Sequence, residues 1–298
     1  MKAFSPARVK FSQFFSGLDG LLSKLTPLLK NSKGLESDKG QSIPKGKVFI
    51  VGAGPGDPEL LTLKAARLIQ NADVILYDAL VNDEILKLAQ KTALCQYVGK
   101  RAGQHSMRQK NISELMVAHA LEGKSVVRVK GGDPGLFARS AEECIKLAEK
   151  NIPFAIVPGI TAASGMSAYT GIMLTDRDYA QSVQYITARF QNEADEPNWQ
   201  HIAAHAETQT TVFYMGVQRL SLISERLLEA GIAPDMPMLL CEKASQKEQK
   251  LIVSTVSSLA EKVAGKNITG PGLIVLGRTC QRRHNVEQAL MENHDLYL

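Results

Sequence analysis

The stretch that decides the fold is "KVFIVGAGPGDPELLTL" (47–63), in which a β-branched run leads through three glycines and an Asp-Pro pair into a helical pattern. The glycines follow the spacing G-x-G-x-G, whereas the dinucleotide-binding fingerprint requires G-x-G-x-x-G. Pro55 and Pro58 lack a backbone N–H, and the Asp57 carboxylate at the helix start would repel a phosphate. The stretch therefore predicts a loop that approaches a ligand which is not anionic at this point. A tight turn without a ligand is the alternative.

Short β-branched runs alternate with helical stretches from residue 47 onwards, which is typical of a largely parallel sheet with crossover helices. The runs form two series of five. We therefore predict an α/β protein with a basic amphipathic arm and linker (1–45), an N-terminal α/β domain (46–158) and a C-terminal α/β domain (159–298). In such folds ligands bind at the carboxyl ends of strands. The predicted strands are 47–51, 73–77, 93–98, 125–129 and 153–157, followed by 182–187, 210–215, 237–241, 250–255 and 272–276.

The positive charge of the chain is concentrated in the arm. The net charge is +5, and residues 1–45 hold eight Lys or Arg against three acidic residues, so the remainder is neutral. A neutral body gives no argument for nucleic acid, and we expect no nucleic-acid partner. Apolar residues within 8–30 recur at helical spacing. Two interpretations stay open: a helix that docks on the protein or on a dimer mate, which we favour, and a helix that contacts an anionic membrane surface or another partner.

Several classes of protein are disfavoured by composition. No apolar run approaches the ~18 residues that a membrane span requires, and the N-terminus lacks the features of a secretory signal. The four cysteines are scattered without a Cys-x-x-Cys pair, which favours reduced thiols in a cytoplasmic protein. His201 and His205 share a helical spacing but have no evident third ligand, so we expect no metal site.

Other loops that follow predicted strands also carry glycine turns, small residues or titratable residues. A second strand leads into a Gly-Gly-Asp-Pro turn (131–134), and the fifth runs into the small-residue stretch "VPGITAASGMSAYTG" (157–171). Asp78 follows the second strand, and Lys100 and Arg101 follow the third. An acid and a base that converge at strand ends are placed for proton transfer, although a surface salt bridge is the alternative. Together these loops predict a ligand pocket.

Six segments, in this order and at these spacings, resemble the uroporphyrinogen-III C-methyltransferases of the tetrapyrrole methylase family. The resemblance covers roughly residues 46–280, and "RDYAQS" (177–182) points to the uroporphyrinogen enzymes within the family. It implies two α/β domains with the active site in the cleft between them, a homodimer, and S-adenosyl-L-methionine as methyl donor, with S-adenosyl-L-homocysteine as product. The implied reaction methylates two carbons of uroporphyrinogen III and gives precorrin-2, towards sirohaem and cobalamin. The segments are "VGAGPGDPELLTLKAARLIQNADVILYDALV", "VGKRAG", "VRVKGGDP", "VPGITAASG", "LTDRDYAQS" and "FYMG".

The resemblance also implies roles for individual positions. Asp78 matches the family's proton acceptor and Lys100 its proton donor. The tetrapyrrole acceptor carries eight carboxylates, which need cationic partners such as Lys100. Some family members have a sirohaem-forming dehydrogenase domain in front, for which the arm is too short, so we expect methylation alone. The further candidates for binding the acceptor are Arg101, Lys130, Arg139 and Arg177, and the positions that match the donor site are Pro55, Gly131, Gly132, Asp133, Leu136, Thr161, Ala162, Met215 and Ala244.

The chain departs from the family pattern at 108–113, at 135–140, and at Asp176, where the family has histidine. These changes bear on substrate detail and rate more than on reaction class. One alternative is a methylase of the same fold that acts on another tetrapyrrole or on a non-tetrapyrrole substrate. An NAD-dependent oxidoreductase is disfavoured by Asp57 and Pro58. The third alternative is a non-catalytic scaffold protein, in which the pocket has diverged from the family and the arm recruits partners.

Overall fold

The structure is a computed structural model that describes residues 46–99, 109–190 and 195–286. These residues belong to one compact unit of the chain. The predicted arm (1–45) and the predicted site residues Lys100 and Arg101 lie outside the described residues.

The first sheet consists of β1 (Lys47–Gly52), β2 (Val74–Tyr77), β3 (Leu94–Tyr97), β4 (Ser125–Lys130) and β5 (Phe154–Val157). All pairs are parallel, and the strand order is β3-β2-β4-β1-β5. The central strands β1 and β4 are rich in valine and isoleucine because both of their faces are covered. The carboxyl ends of the five strands therefore meet at one edge of the sheet.

The first sheet is covered on both faces by the helices between its strands. These are α1 (Leu63–Gln70), α2 (Asp83–Leu86), α3 (Gln109–Leu121) and α4 (Ser140–Glu149). Apolar residues of α1 and α2 pack on one face, and those of α3 and α4 pack on the other. α1 begins where the Thr62 hydroxyl accepts a hydrogen bond from Ala65 N at 3.2 Å, an ordinary N-cap.

The second sheet contains β6 (Ser182–Thr187), β7 (Gln209–Tyr214), β8 (Pro237–Glu242), β9 (Lys250–Thr255) and β10 (Gly272–Leu276), in the order β6-β7-β10-β8-β9. Only β6 and β7 pair in parallel. The expectation of a largely parallel arrangement is thus wrong for this sheet. β8 and β9 are joined by residues 243–249, which are too few for a crossover helix and give an antiparallel pair.

Helices cover both faces of the second sheet as well. α5 (Ala162–Thr170), which follows β5, contributes Ala163 and Met166 to the core on one face. The other face is covered by α6 (Trp199–His205), α7 (Leu220–Glu229) and α8 (Leu259–Val263). α5 therefore connects the two sheets in the chain and packs against the second.

The α/β fold class is confirmed, and each of the ten predicted strands agrees with an observed strand to within one residue at either end. The boundary between domains at residue 158 stays a prediction. Within the described ranges, no helix is long and apolar enough to cross a membrane.

Candidate functional site

A cavity of about 1420 Å³ opens at the carboxyl ends of the first sheet. Loops after β1, β2 and β4 line one side, and segments after β7 and β8 and before β10 line the other. The structure brings Asp78 and all the positions predicted for the methyl donor to this one cavity, while their roles stay predictions. These positions are Pro55, Gly131, Gly132, Asp133, Leu136, Thr161, Ala162, Met215 and Ala244.

The loops that contain the two Gly-Asp-Pro turns (56–58 and 132–134) are hydrogen-bonded to each other. Gly54 N donates to Gly132 O at 3.2 Å, and Gly132 N donates to Gly54 O at 2.7 Å. Both residues have left-handed backbones, with φ of +76° and +69°, which glycine adopts without strain. The pairing joins the loops after two adjacent strands into one wall of the cavity.

Asp57 braces the first of these loops. Its Oδ1 accepts a hydrogen bond from Glu59 N at 2.8 Å, and its Oδ2 accepts one from the Tyr169 hydroxyl in α5. Asp57 N in turn donates to Ser245 Oγ at 3.3 Å, which ties the loop to the segment after β8. The carboxylate is thus a structural acceptor at the start of the 3₁₀ turn Pro58–Leu60.

Asp133 braces the second loop in a similar way. Its Oδ1 accepts from Gly135 N at 2.7 Å, and its Oδ2 accepts from Gly159 N at 2.9 Å. Thr161 caps α5 by accepting from Ser164 N at 3.1 Å. These contacts fix the backbone at the predicted donor positions. The side chains of Asp133 and Thr161 themselves accept hydrogen bonds from the backbone.

Asp78 directly follows β2, and two donors hold its carboxylate. Leu80 N donates to Oδ1 at 3.1 Å, and Arg128 Nη2 donates to Oδ2 at 2.9 Å. The Asp78 side chain is 23% exposed, whereas that of Arg128 in β4 is 4% exposed. Asp78 therefore faces the cavity as a carboxylate paired with a buried guanidinium.

The cation predicted at Lys130 is buried in the cavity floor. Lys130 Nζ donates to Glu143 Oε2 at 2.8 Å, and Arg128 Nε donates to Glu143 Oε1 at 3.4 Å. Burial lowers the pKa of Lys130, although the charge and hydrogen bond of Glu143 oppose this effect. Lys130 lines the cavity, but its charge is already balanced within the protein, which weakens its prediction as a binder of substrate carboxylates.

The other predicted cations differ in position. Arg139 lines the cavity and pairs with Glu142 through two hydrogen bonds of 2.7 and 2.8 Å, which raise the pKa of its guanidinium. Both side chains of this ion pair are exposed, so Arg139 can leave Glu142 and pair with a ligand carboxylate at a low cost in free energy. Arg177 is exposed in the segment between α5 and β6 and is not among the cavity residues.

Sequence reasoning missed an aromatic wall of the cavity formed by Phe137 and Tyr214, whose ring centroids are 5.0 Å apart. The Tyr214 hydroxyl accepts from Ala163 N at 3.2 Å, and burial raises its pKa to about 12. Phe137 and Met215 hold left-handed backbones, with φ of +52° and +57°. Such strain in non-glycine residues clusters at functional sites. The aromatic in "FYMG" was the available signal for Tyr214.

It also missed Arg128 and Glu143. A charged residue inside a β-branched run such as "SVVRVK" (125–130) is unusual for a strand covered on both faces, and this was the available signal for Arg128. Glu143 follows Glu142 in a helix and has no local mark that distinguishes the buried acid from the exposed one.

The arrangement combines three chemical features. Glycine turns allow close approach of a ligand to the backbone, an aromatic wall with Met215 offers apolar contact, and Asp78 provides a carboxylate that can accept a proton. The paired turns use the N–H groups of Gly54 and Gly132 on each other, so they are not available to a phosphate. The cavity therefore suits a ligand with an apolar body whose reacting centre is not anionic.

A family model described as tetrapyrrole (corrin/porphyrin) methylases matches residues 47–260. Among curated proteins, a siroheme synthase of Acinetobacter baylyi is 48% identical over 244 residues, which are 82% of this chain and 53% of that protein. A siroheme synthase 2 of Cronobacter sakazakii is 46% identical over 239 residues, 80% of this chain and 51% of that protein. The chain thus spans about half the length of these curated relatives.

Solved structures show the same similarity. A cobalt precorrin-4 methyltransferase aligns with a TM-score of 0.71 and 28% identity, over 83% of this chain and 99% of that one. A uroporphyrin-III C-methyltransferase from Thermus thermophilus, complexed with S-adenosylhomocysteine, aligns with a TM-score of 0.67 and 36% identity, over 79% and 99%.

Proposed function

Because the chain belongs to the tetrapyrrole (corrin/porphyrin) methylases, we propose that it transfers methyl groups from S-adenosyl-L-methionine to two carbons of uroporphyrinogen III and gives precorrin-2. The observation that carries the proposal is the single cavity that gathers Asp78 with every position predicted for the donor. The Thermus thermophilus enzyme supports the choice of donor, since it is complexed with S-adenosylhomocysteine, and the choice of acceptor, since it is a uroporphyrin-III C-methyltransferase. Sirohaem and cobalamin synthesis are the pathways in which such a product is used.

The residues that line the cavity fit this donor. A Cβ placed on Gly132 would have only Ala162 N nearby, at 3.9 Å, so the turn leaves open space that a side chain would fill. When bound, S-adenosyl-L-methionine supplies an electrophilic methyl group on a sulfonium centre. The hydrogen-bonded turns hold the backbone beside this space, and Phe137, Tyr214 and Met215 offer apolar contact to the donor. Alignment of the two reactants then supplies much of the acceleration.

In this proposal, Asp78 accepts the proton that leaves the acceptor. A pyrrole carbon is electron-rich and needs no strong base to become a nucleophile, but a proton must leave the ring system after methylation. Asp78 lies at the cavity wall, and Arg128 keeps it oriented through the 2.9 Å contact. A positioned carboxylate that accepts this proton contributes about 10²–10⁴-fold to the rate.

Cations around the cavity bind the acceptor in this proposal. Arg139, Arg189, Arg219 and Lys243 all line it. Arg219 Nη1 also donates to Ala188 O at 2.7 Å, which fixes the loop after β6 that carries Arg189. Arginine pairs with a carboxylate through two parallel hydrogen bonds, which suits an acceptor whose rim carries several acidic side chains.

A second candidate is methylation of a later corrin intermediate. The cobalt precorrin-4 methyltransferase has a TM-score of 0.71, against 0.67 for the uroporphyrin-III enzyme. Sequence identity favours the first candidate, at 36% against 28%. The predicted homodimer, the cytoplasmic location, and the partner or membrane contact of residues 8–30 stay predictions.

The proposal is tested by anaerobic incubation with S-adenosyl-L-methionine and uroporphyrinogen III, followed by mass spectrometry of the tetrapyrrole. We expect a gain of two methyl groups. Asp78→Ala is expected to lower turnover by about 10²–10⁴-fold and to leave donor binding by calorimetry near the wild-type value. No methyl gain by the wild type, with donor binding intact, would reject uroporphyrinogen III as acceptor and direct the test to cobalt precorrin intermediates.

A further inference from the structure

Glu143 is a fully buried carboxylate that organises the wall of the cavity without lining it. Its side chain is 0% exposed. It lies in the first turns of α4, whose N-cap residue Arg139 makes no side-chain capping bond. Glu142, its neighbour in the chain, is exposed and pairs only with Arg139 among the contacts of the described residues. Glu143 is therefore the acid that points from this helix into the sheet.

Within the described residues, the three side chains that donate hydrogen bonds to Glu143 all line the cavity. Oε2 accepts from Lys130 Nζ at 2.8 Å, and Oε1 accepts from Arg128 Nε at 3.4 Å and from Gln109 Nε2 at 3.0 Å. Lys130, Arg128 and Gln109 line the cavity from β4 and from the start of α3. One buried carboxylate thus fixes three polar side chains at the surface that faces the ligand.

A chain of charges runs from Glu143 to the proposed proton acceptor. Arg128 bonds Glu143 through Nε and Asp78 through Nη2, and its Nη1 donates to Val129 O at 2.7 Å. The guanidinium is 4% exposed and is held at each of these three nitrogens, so it has little freedom to turn. Glu143 therefore supplies one of the three contacts that set the direction in which Arg128 presents its Nη2 to Asp78.

Stability alone gives a poor reason for this network. Asp78, Arg128, Lys130 and Glu143 carry two charges of each sign, and burying such groups costs desolvation energy that their attraction roughly offsets. Apolar side chains of similar size at these positions would be about as stable. A role at the cavity accounts for the arrangement better than a role in folding.

We propose that Glu143 is a positioning residue for the methyl-transfer site: it holds Arg128 against Asp78 and holds Lys130 as a cation in the cavity floor. This inference rests on the proposed function. Asp78 then faces the cavity in one orientation, and Lys130, paired with Glu143, keeps a fixed position in the cavity lining.

The charge on Lys130 makes the role measurable. Among the described residues, the charged or titratable groups that interact with Lys130 are Glu143, Glu142 and Cys144 from α4, Arg128 from β4, and Asp78 after β2. Burial and Arg128 lower the pKa of Lys130, and Glu143 is the larger of the two opposing acids. Removal of the Glu143 charge therefore lowers that pKa further, so that Lys130 loses its proton at a lower pH.

The test compares Glu143→Gln with Glu143→Asp, and uses Glu149→Gln as the matched control. Glu149 lies in the same helix, is exposed, and pairs with Lys146 at 3.1 Å. For Glu143→Gln we expect kcat to fall by roughly 10- to 100-fold with the KM for the donor within about 2-fold, and the basic limb of the pH–rate profile to move to lower pH. Glu143→Asp keeps the charge but shortens the side chain, so we expect the pH profile to return while kcat stays below the wild-type value.

A second readout does not depend on turnover. In protein labelled with [ε-¹³C]lysine, the Lys130 resonance is assigned by its loss in Lys130→Met. Its titration midpoint is expected at lower pH in Glu143→Gln than in the wild type and near the wild-type value in Glu149→Gln. An unchanged midpoint in Glu143→Gln would overturn the inference whether or not the wild type is active.

The outcomes separate this inference from the proposed function. If the wild type forms no methylated product, the proposed function fails, and the lysine titration still decides whether Glu143 holds Lys130 as a cation. If the wild type is active and folded Glu143→Gln has the same kcat and pH profile, the inference is wrong and the function stands. If Glu143→Gln does not fold, Glu143→Asp decides, since wild-type kcat in that variant would rule out positioning.

Discussion

The contact between α5 and the loop after β1 gives the sharpest test of how the cavity is built. Gly165 is buried in α5, and a Cβ placed on it would lie 2.5 Å from Pro55 Cγ and 2.7 Å from Pro55 Cβ. An ordinary carbon contact is about 3.5–4.0 Å, so Gly165→Ala must push the Pro55 ring away by about 1 Å. Pro55 cannot yield by rotating a side chain, because its ring is part of the backbone.

Two effects on stability oppose each other in Gly165→Ala. Replacing glycine by alanine within a helix gains about 1 kcal/mol, and overpacking a tight contact costs about 1–3 kcal/mol. The net expectation is a loss of about 0–2 kcal/mol in the free energy of unfolding. The effect on function is expected to be larger, since Pro55 lines the cavity, and a displacement of about 1 Å at a reactive site can cost about 10²-fold.

The assays are urea unfolding for stability, and calorimetry with S-adenosylhomocysteine alongside turnover for function. Ser167→Ala, on the same helix, is the control and is expected within about 0.5 kcal/mol of the wild type with normal binding. A Gly165→Ala protein that gained about 1 kcal/mol and bound the ligand normally would refute the reasoning. Such a result would mean that α5 and Pro55 can separate without affecting the site.

Two further predictions concern buried groups. Burial raises the pKa of Tyr214 from 10.0 to about 12, so the folded protein holds the phenol proton more tightly than the unfolded chain does. The protonated phenol therefore contributes its full share of stability below pH 10, and this share is lost as the pH rises through about 12. Between pH 10 and about 12, the free energy of unfolding of the wild type should fall by up to about 2 kcal/mol relative to that of Tyr214→Phe. If the free energies of unfolding of the two proteins change with pH in parallel, the prediction is wrong. Burial raises the pKa of Cys241 and Cys280 to about 12, so neither thiol should react with a disulfide reagent at pH 8 in the native protein. Cys95 is exposed and should react first, and a fast phase that survives in Cys95→Ser would contradict the assignment.

The strands could be predicted because each is a short run of mostly apolar or β-branched residues between turn residues, and this signal is local. Their arrangement in the second sheet could not, since β10 pairs between β7 and β8, and nothing in its own residues carries that information. The expectation of parallel strands failed there for this reason. In the first sheet the crossover helices between successive strands were visible in the sequence, and they require parallel pairing.

The difference between local sequence signals and three-dimensional packing also decides which site residues could be predicted. Residues that follow strands, such as Asp78 and Pro55, could be located because parallel strands bring their carboxyl ends to one edge. Glu143 could not, because its burial depends on the packing of α4 against the sheet, and Glu142 beside it is exposed. Arg177 was predicted to bind the acceptor because it falls near a strand-end loop, but it is exposed and is not among the residues that line the cavity.

The acidic turns explain why a loop so close to a dinucleotide fingerprint does not need a phosphate. Asp57 and Asp133 each accept one hydrogen bond from the N–H two residues on, at 2.8 and 2.7 Å, which closes the turn. Each gives its second oxygen to another segment, Asp57 to the Tyr169 hydroxyl and Asp133 to Gly159 N. In a phosphate-binding loop, backbone N–H groups point at the anion and hold it. Here carboxylates of the protein itself accept hydrogen bonds from the backbone N–H groups, so the two turns are closed without a bound anion.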